Sequence, residues 1–560
     1  VTGGAIGWAA TGACVVAAVL GALRWLRVAQ REHYLPGSTI RFARRWWWAS
    51  PLALAMAFGA LAGAVLSWWW PSSAFATALV VAAGPPGLGL RGRSRPLAWT
   101  RRLRTLAGVV AVLGGLAIGL GAWSQVAPLA AAAVAAGVFV VVDAGCALTA
   151  PLERALADRH VRRARDRLRR VRPTVVAITG SYGKTSTKGA IAHLLGGSRA
   201  VVASPASFNN RAGLARAVNE HLAPGTEVFV AEMGTYGRGE IAELCRWIPP
   251  DIAVLTAIGP VHLERFRSED RIVEAKAEIL ERARCAVLVV DDERLARLAD
   301  EAEARGLRVW RCSGVTARSS GPPDADPGAG RRDVTVASGP EGLRVEVHGE
   351  LLATVCVDAR PGNVAAAVAV ALELGVARPE LVDRLASLPA VAHRLEAVRG
   401  SGGALVLDDT YNANPAGTRS ALDRLAALAQ PGGRVVVVTP GMVELGPRQV
   451  AENAAFAAAA MAVVSDLVVV GRTNRRALVG GAVGAGGVRG GVIAPGGGRW
   501  RHRESRPGPA GDGSTHRRRG GRPPVVWTAP DRDTAVAWVR AELGPGDVVL
   551  YENDLPDHYP

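Results

Sequence analysis

The chain has 560 residues, with 66 Lys+Arg against 49 Asp+Glu and a formal net charge of +17. The length predicts about three domains, and six scattered cysteines without a Cys-x-x-Cys pair argue against a zinc site or a disulfide framework. Residues 1–172 hold 21 arginines against five acids, a net of +16, which leaves +1 for residues 173–560. The basicity is therefore confined to one third of the chain, and a nucleic-acid partner is not expected.

That N-terminal third, residues 1–150, reads as an α-helical transmembrane domain. Apolar stretches occupy roughly Ala5–Leu23, Ala49–Trp70, Ser73–Leu90, Leu106–Trp123 and Val126–Ala150, each near the ~20 residues that span hydrocarbon. The third holds Pro85-Pro86 and is the weakest, so the reading is four or five helices. Six arginines lie between the first and second stretches and six between the third and fourth. The other two connections have none. This alternation puts the N-terminus outside and everything after Ala150 in the cytoplasm. Ten of the fifteen tryptophans precede residue 124, many at stretch edges as in an interfacial belt. Asp143 is expected to snorkel or to pair with arginine.

Residues 151–173 form a basic, helix-like juxtamembrane connector, expected to lie along an anionic inner leaflet. Beyond it strands alternate with helices, the rhythm of α/β domains. Val228–Ala231 and Ile252–Thr256 read as buried strands, and Asp270–Arg284 reads as a helix. Residues 316–332 read as a mobile loop, and Ala390–Arg394 as a hinge. A second α/β unit holds Ala404–Leu407, Val435–Thr439, Leu467–Val470 and Val548–Tyr551. Residues 480–524, rich in Gly, Arg and Pro, are expected to be a disordered insertion.

The chemistry centres on Val175–Lys188, VVAITGSYGKTSTK. A β-branched strand, a glycine turn, Lys-Thr and a helix start make a phosphate cradle. Gly180, Ser181, Gly183, Lys184, Thr185 and Ser186 are its expected nucleotide-binding residues. Lys184 would reach the β/γ-phosphates, and Thr185 would hold Mg²⁺. The spacing departs from the common pattern, whose first glycine would fall at Ile178. Lysine occurs only at Lys184, Lys188 and Lys276; a chain that otherwise uses arginine has kept an amine in three places. Glu232 and His262 each follow a strand, where α/β ligand sites form, and Lys276 lies fourteen residues beyond His262.

These segments resemble the Mur ligase family, most closely its D-alanyl-D-alanine-adding branch. The matching pieces are GSYGKTSTK at 180–188, SFNNRAG at 207–213, EMGTYGRGEI at 232–241, TAIGPVHLERF at 256–266 and EAKAEIL at 274–280. GNVAAAVAVALELG at 362–375, HRLE at 393–396, DDTYNANP at 408–415 and GMVELG at 441–446 follow in family order.

The resemblance implies a P-loop-type central ATPase domain at 174–390 and a C-terminal Rossmann-like α/β domain at 391–560. It also implies an ATP-dependent amide ligase working through an acyl phosphate. Two Mg²⁺ ions would be held by Thr185, Glu232, His262 and Lys276, with Lys276 carbamylated. Asn209 and Asn210 would lie near the γ-phosphate, Arg394 would contact phosphate, and Asp409, Asn412 and Asn414 would face the nucleotide. The acid substrate would be a carboxylate-bearing cell-wall precursor, lipid-linked or UDP-linked, and the amine an amino acid or dipeptide. The alternatives are a ligase building another polymer, such as a poly-amino-acid chain, and a membrane-anchored nucleotide-binding protein without ligase activity. Two departures stand out. Asp291-Asp292 lacks the asparagine that usually precedes the acidic pair, and GDVVLYEND at 546–554 lacks the usual lysine.

Overall fold

The computed structural model describes residues 4–48, 50–85, 88, 97–205, 208–235, 237–260, 263–315, 331–357, 359–389, 396–400, 402–410, 413–493 and 523–553. It divides into two compact units, which meet in sequence between Ala157 and Asp158.

The first unit is helical: α1 (Ala5–Arg31), α2 (Ser38–Trp48), α3 (Pro51–Leu66), α4 (Ala74–Ala83), α5 (Arg101–Trp123), α6 (Ala127–Ala136) and the start of α7 (Val138–Val171). Among the described residues α1 and α5 are each long and apolar enough to cross a membrane. Up to four spans result if the bent pairs α2–α3, at 118°, and α6–α7, at 74°, each count as one. Two of the expected stretches therefore differ. The helical part of the third is the ten-residue α4, about 15 Å long and half the hydrocarbon thickness. The fifth breaks at Gly137, whose φ of −93° and ψ of 13° end α6.

Two buried charged groups in this unit find local partners. Asp143, 7% exposed, accepts from the Gly37 and Thr39 amides at 2.7 and 3.1 Å and from Thr39 Oγ1 at 2.7 Å. It thus caps the N-terminus of α2, where the helix dipole favours an anion. Arg24, also buried, donates to the Val81 and Ala82 carbonyls at the end of α4.

The connector is a continuous part of α7, which runs through Pro151 to Val171. Val161, Ala164 and Leu168 are buried in a core with Val175, Leu214 and Phe229 of the second unit. Arg167 donates to the Asn219 carbonyl at 3.0 Å. An amphipathic helix can serve a leaflet or a protein core; here the apolar stripe is taken up by protein.

The second unit contains two sheets. The first has β1 (Thr174–Thr179), β2 (Val201–Ala203), β3 (Val228–Glu232), β4 (Ile252–Leu255), β5 (Cys285–Val289), β6 (Arg308–Val315), β7 (Val334–Gly339), β8 (Gly342–Val347) and β9 (Glu350–Val355). Their order is β2-β3-β1-β4-β5-β6-β7-β8-β9. Pairing is parallel as far as β7 and antiparallel in the β7–β8–β9 meander. The near-continuous Val/Ile/Ala runs of β1, β3, β4 and β5 are explained by burial on both faces.

The second sheet has β10 (Glu396–Arg399), β11 (Leu405–Asp409), β12 (Val435–Thr439), β13 (Asp466–Val470), β14 (Val488–Val492), β15 (Val525–Ala529) and β16 (Val548–Glu552). Its order is β10-β11-β16-β12-β13-β15-β14, parallel except for β10. The expected insertion is thus ordered at its start: the helix Arg475–Gly484 and strand β14 occupy it. A Cβ on Gly490 would lie 2.7 Å from Val525 Cγ1. Glycine lets β14 approach β15 closely and erases the hydrophobic alternation that would mark a strand. Residues 494–522, 316–330 and 390–395, which include the rest of the insertion, most of the expected loop and the expected hinge, lie outside the described residues.

Candidate active site

Three adjacent strands, β3, β1 and β4, end at one rim. Glu232 closes β3 opposite Ile178 of β1, and Thr179 closes β1 opposite Leu255 of β4. The chain leaves β1 through Gly180, at φ +152°, and Gly183, at φ +81°, and enters the helix Lys184–Leu195. Side chains are excluded at both glycines. A Cβ on Gly180 would meet Thr256 Oγ1 at 2.1 Å, and one on Gly183 would meet Asn363 Oδ1 at 2.3 Å. Ser181 pins the loop to the segment after β4, with its amide on the Ala257 carbonyl at 2.7 Å and its hydroxyl accepting from the Gly259 amide at 3.1 Å. Thr256 donates to the Tyr182 carbonyl. Backbone amides at the start of a helix thus face an enclosed turn, the arrangement that receives an anion.

Glu232, 1% exposed, is the focus of the polar side chains. Its Oε2 receives Thr185 Oγ1 and Lys188 Nζ, each at 3.0 Å, and its Oε1 receives Asn209 Nδ2 at 3.3 Å. The Lys184 amine folds back to the Gly180 carbonyl at 2.7 Å. Lys276, on the helix Glu269–Ala277, is 4% exposed. Burial, and then the nearby Lys184 ammonium, hold its amine well below the usual lysine value of 10.5. All three lysines of the chain are therefore half-buried or buried around this rim.

The C-terminal sheet faces the same region. Arg448, just before the helix Gln449–Ala460, pairs with Glu269 at 2.6 Å, on the helix that carries Lys276. Asp409 ends β11 in register with Glu552 of β16.

Of the expected site residues, Gly180, Ser181, Gly183, Lys184, Thr185, Ser186, Asn209, Glu232 and Lys276 come together here. Asn210 and Asn414 have a structural task. Each caps a helix, accepting from the Gly213 amide at 2.9 Å and the Gly417 amide at 2.8 Å. His262, Arg394 and Asn412 lie outside the described residues. Asp291 and Asp292 are committed to the fold: the first accepts from Ser313 Oγ at 2.6 Å and the Gly314 amide at 2.8 Å, and the second caps the helix Glu293–Ala304.

Sequence reading gave no role to the Lys188–Glu232 ion pair, although the scarcity of lysine pointed to Lys188. It also missed Asn363 against the loop, for which Gly362-Asn363 ahead of an alanine-rich helix was the available signal. One hydroxyl (Thr185) and one carboxylate (Glu232) at the foot of the glycine turn are the hard oxygen donors that Mg²⁺ takes, so the residues present fit a magnesium nucleotide.

Comparison with known proteins agrees with this geometry. Residues 178–331 match the Mur ligase middle domain, and residues 393–551 match the Mur ligase, glutamate ligase domain. The UDP-N-acetylmuramoyl-tripeptide–D-alanyl-D-alanine ligase of Mycobacterium tuberculosis (strain ATCC 25618 / H37Rv) is 34% identical over 389 residues, 67% of this chain and 69% of that protein. The enzyme of the same name from Escherichia coli (strain K12) is 31% identical over 53% of this chain and 64% of its own length. Among solved structures, the MurF ligase of Thermotoga maritima in complex with ADP superposes with a TM-score of 0.53 at 25% identity, covering 71% of this chain and 80% of that one. MurF from Acinetobacter baumannii, at 21% identity, 70% and 76% coverage and a TM-score of 0.51, shares the fold. The glycine loop, the lysines around Glu232 and these matches together make the chain a member of the Mur ligase family, an ATP-dependent, ADP-forming amide ligase.

Proposed function

We propose that the enzyme extends a cell-wall peptide precursor at the inner face of a membrane, joining the precursor's carboxylate to an amino-acid or dipeptide amine. The carboxylate attacks the γ-phosphorus of ATP, ADP leaves, and the amine then displaces phosphate from the acyl phosphate to form the amide. A carboxylate must approach a triphosphate, so catalysis here is largely charge neutralisation and positioning.

This chain's residues have definable parts in that task. The P-loop-type turn Gly180–Gly183 holds the phosphates with backbone amides, and Lys184 leaves the Gly180 carbonyl to meet them. Thr185 and Glu232 hold one Mg²⁺, and Lys276 with His262 serves a second. Bound magnesium supplies positive charge that stabilises phosphoryl oxygens. The neutral Lys276 amine adds to the carbon of CO₂ and gives up one N–H proton to solvent, leaving a carbamate that is an anionic oxygen ligand. The observation that carries the reading is that Lys276 is buried beside Lys184, surroundings that lower its amine well below the usual lysine value. Asn209, Asn210, Arg394, Asp409, Asn412 and Asn414 line the nucleotide and γ-phosphate, with Asn210 and Asn414 doing so from helix N-termini.

The similarity to UDP-N-acetylmuramoyl-tripeptide–D-alanyl-D-alanine ligases supports a muramoyl-peptide acid and a D-alanyl-D-alanine amine. The apolar helices α1 and α5 and the arginine-rich segments beside them support integral attachment to the cytoplasmic membrane and an acid substrate that is lipid-linked. ADP release by the purified full chain, given ATP, D-alanyl-D-alanine and either soluble UDP-linked or lipid-linked muramoyl tripeptide, tests the assignment. Turnover with the lipid-linked form is expected. Turnover with the soluble form alone defeats the membrane part, and turnover with neither defeats the cell-wall part.

A further inference from the structure

Glu552 ends β16 between β11 and β12, at the carboxyl end of parallel strands where α/β proteins form their ligand crevices. Its side chain is 0% exposed, and neither carboxylate oxygen has a hydrogen-bond partner among the described residues. Beside it in register stands Asp409, held to the same turn by its carbonyl, which accepts the Asn553 amide at 3.1 Å. The Asn553 side chain fixes that turn against the Gly441 carbonyl at 2.6 Å.

Burial, and then the Asp409 carboxylate, push the Glu552 carboxyl well above its ordinary range, and Arg360 pulls it down. Arg360 directly precedes the helix Pro361–Glu373, whose Asn363 abuts Gly183 of the phosphate loop. The carboxyl therefore lies on the side of the C-terminal sheet that faces the nucleotide region.

A buried carboxyl whose oxygens have no hydrogen-bond partner is costly, and a cationic donor arriving beside it would supply the missing bonds and favour its charged form. Groups of three or more potential metal ligands are absent among the described residues, and a pair of carboxylates suits an ammonium better than a dedicated metal site. The amine substrate of an amide ligase is itself an ammonium ion in neutral solution.

We propose that Glu552, with Asp409 beside it, is the recognition site for the ammonium group of the incoming amine. The inference rests on the reading that the second substrate is an amine, and it assigns the residues that select that substrate. Glu552 is a binding residue here, and the proton the amine must lose before attack is not assigned to it.

The test uses the full chain loaded with magnesium β,γ-imido-ATP. It is titrated calorimetrically with D-alanyl-D-alanine, L-lysine and cadaverine, and with the N-acetylated form of each, which lacks the cation at the blocked nitrogen. At least one free amine is expected to bind about tenfold or more tightly than its acetylated form, the size of a charge-assisted hydrogen bond. In Glu552→Gln that preference is expected to shrink to about twofold while nucleotide affinity stays the same. A preference that survives in Glu552→Gln, or no preference in the unaltered chain, overturns the proposal. If Glu552→Gln fails to bind nucleotide, Glu552→Asp is read in its place: a weakened preference supports the site, and an undiminished one refutes it. Failure of the cell-wall reading would appear separately, as absent ADP release by the unaltered chain.

Discussion

Replacing Lys188 by methionine keeps the length of the side chain and removes its ammonium from Glu232. The two side chains are 7% and 2% exposed and meet at 3.0 Å, so solvent screens the pair little. Breaking a buried pair from one side costs about 3–5 kcal/mol, because the remaining charge stays buried. Glu232 keeps Thr185 Oγ1 at 3.0 Å and Asn209 Nδ2 at 3.3 Å, which puts the expectation at the low end, about 3 kcal/mol. The assay is equilibrium urea unfolding of the solubilised full chain in magnesium-free buffer, with Lys188→Met, Glu232→Gln and the double variant forming a cycle. Neutralising both partners leaves no orphaned charge, so the double variant should lose clearly less than the sum of the single losses. On the proposed role of Glu232 as a magnesium ligand, magnesium nucleotide should stabilise Lys188→Met more than the unaltered chain. A Lys188→Met loss under about 1 kcal/mol, or single losses that simply add, would refute the electrostatic account of this cluster.

Two further predictions follow from the same rim. Gly183→Ala places a Cβ 2.3 Å from Asn363 Oδ1 at a φ of +81°. Nucleotide affinity measured by calorimetry should fall by about tenfold or more while the melting temperature changes little, because the loop must shift off its amide geometry. Lys276 is neutral when folded and charged when unfolded across the pH range between its lowered value and 10.5. The unfolded chain binds the extra proton there, so this residue's contribution to stability rises with pH by up to about 1.4 kcal/mol per unit and is lost as pH falls. In CO₂-free buffer Lys276→Met should flatten that slope in unfolding measurements, and an unchanged slope would show that the amine is not buried as described.

Much of this site was legible because composition marked it. A chain with 63 arginines that keeps three lysines signals three places where a compact amine is needed, and all three lie around one carboxylate and one turn. The strands were legible from their β-branched runs, which need burial on both faces. Other features had no distinct signature. Asparagine before a helix serves as a cap or as a ligand with the same letter, so Asn210 and Asn414 could not be divided between the two roles by sequence. The stripe of Val161, Ala164 and Leu168 fits a leaflet as well as a protein core, and only packing decides. Strand β14 was hidden by its own glycines, and the length of α4 by apolar residues that continue past the end of the helix. Glu552 was visible only as a missing lysine; its meaning required seeing that both oxygens are buried without a partner.

The central claim is that the amine at Lys276 and the glycine loop act on one nucleotide. Lys276→Arg tests it most directly, because a guanidinium of similar reach stays charged at that point and cannot become a carbamate. ADP release in the presence of acid and amine should fall by at least about a hundredfold, the scale of losing a group that acts on transition-state charge, while the affinity for β,γ-imido-ATP changes by less than about threefold. An arginine variant that turns over at the full rate would contradict the account.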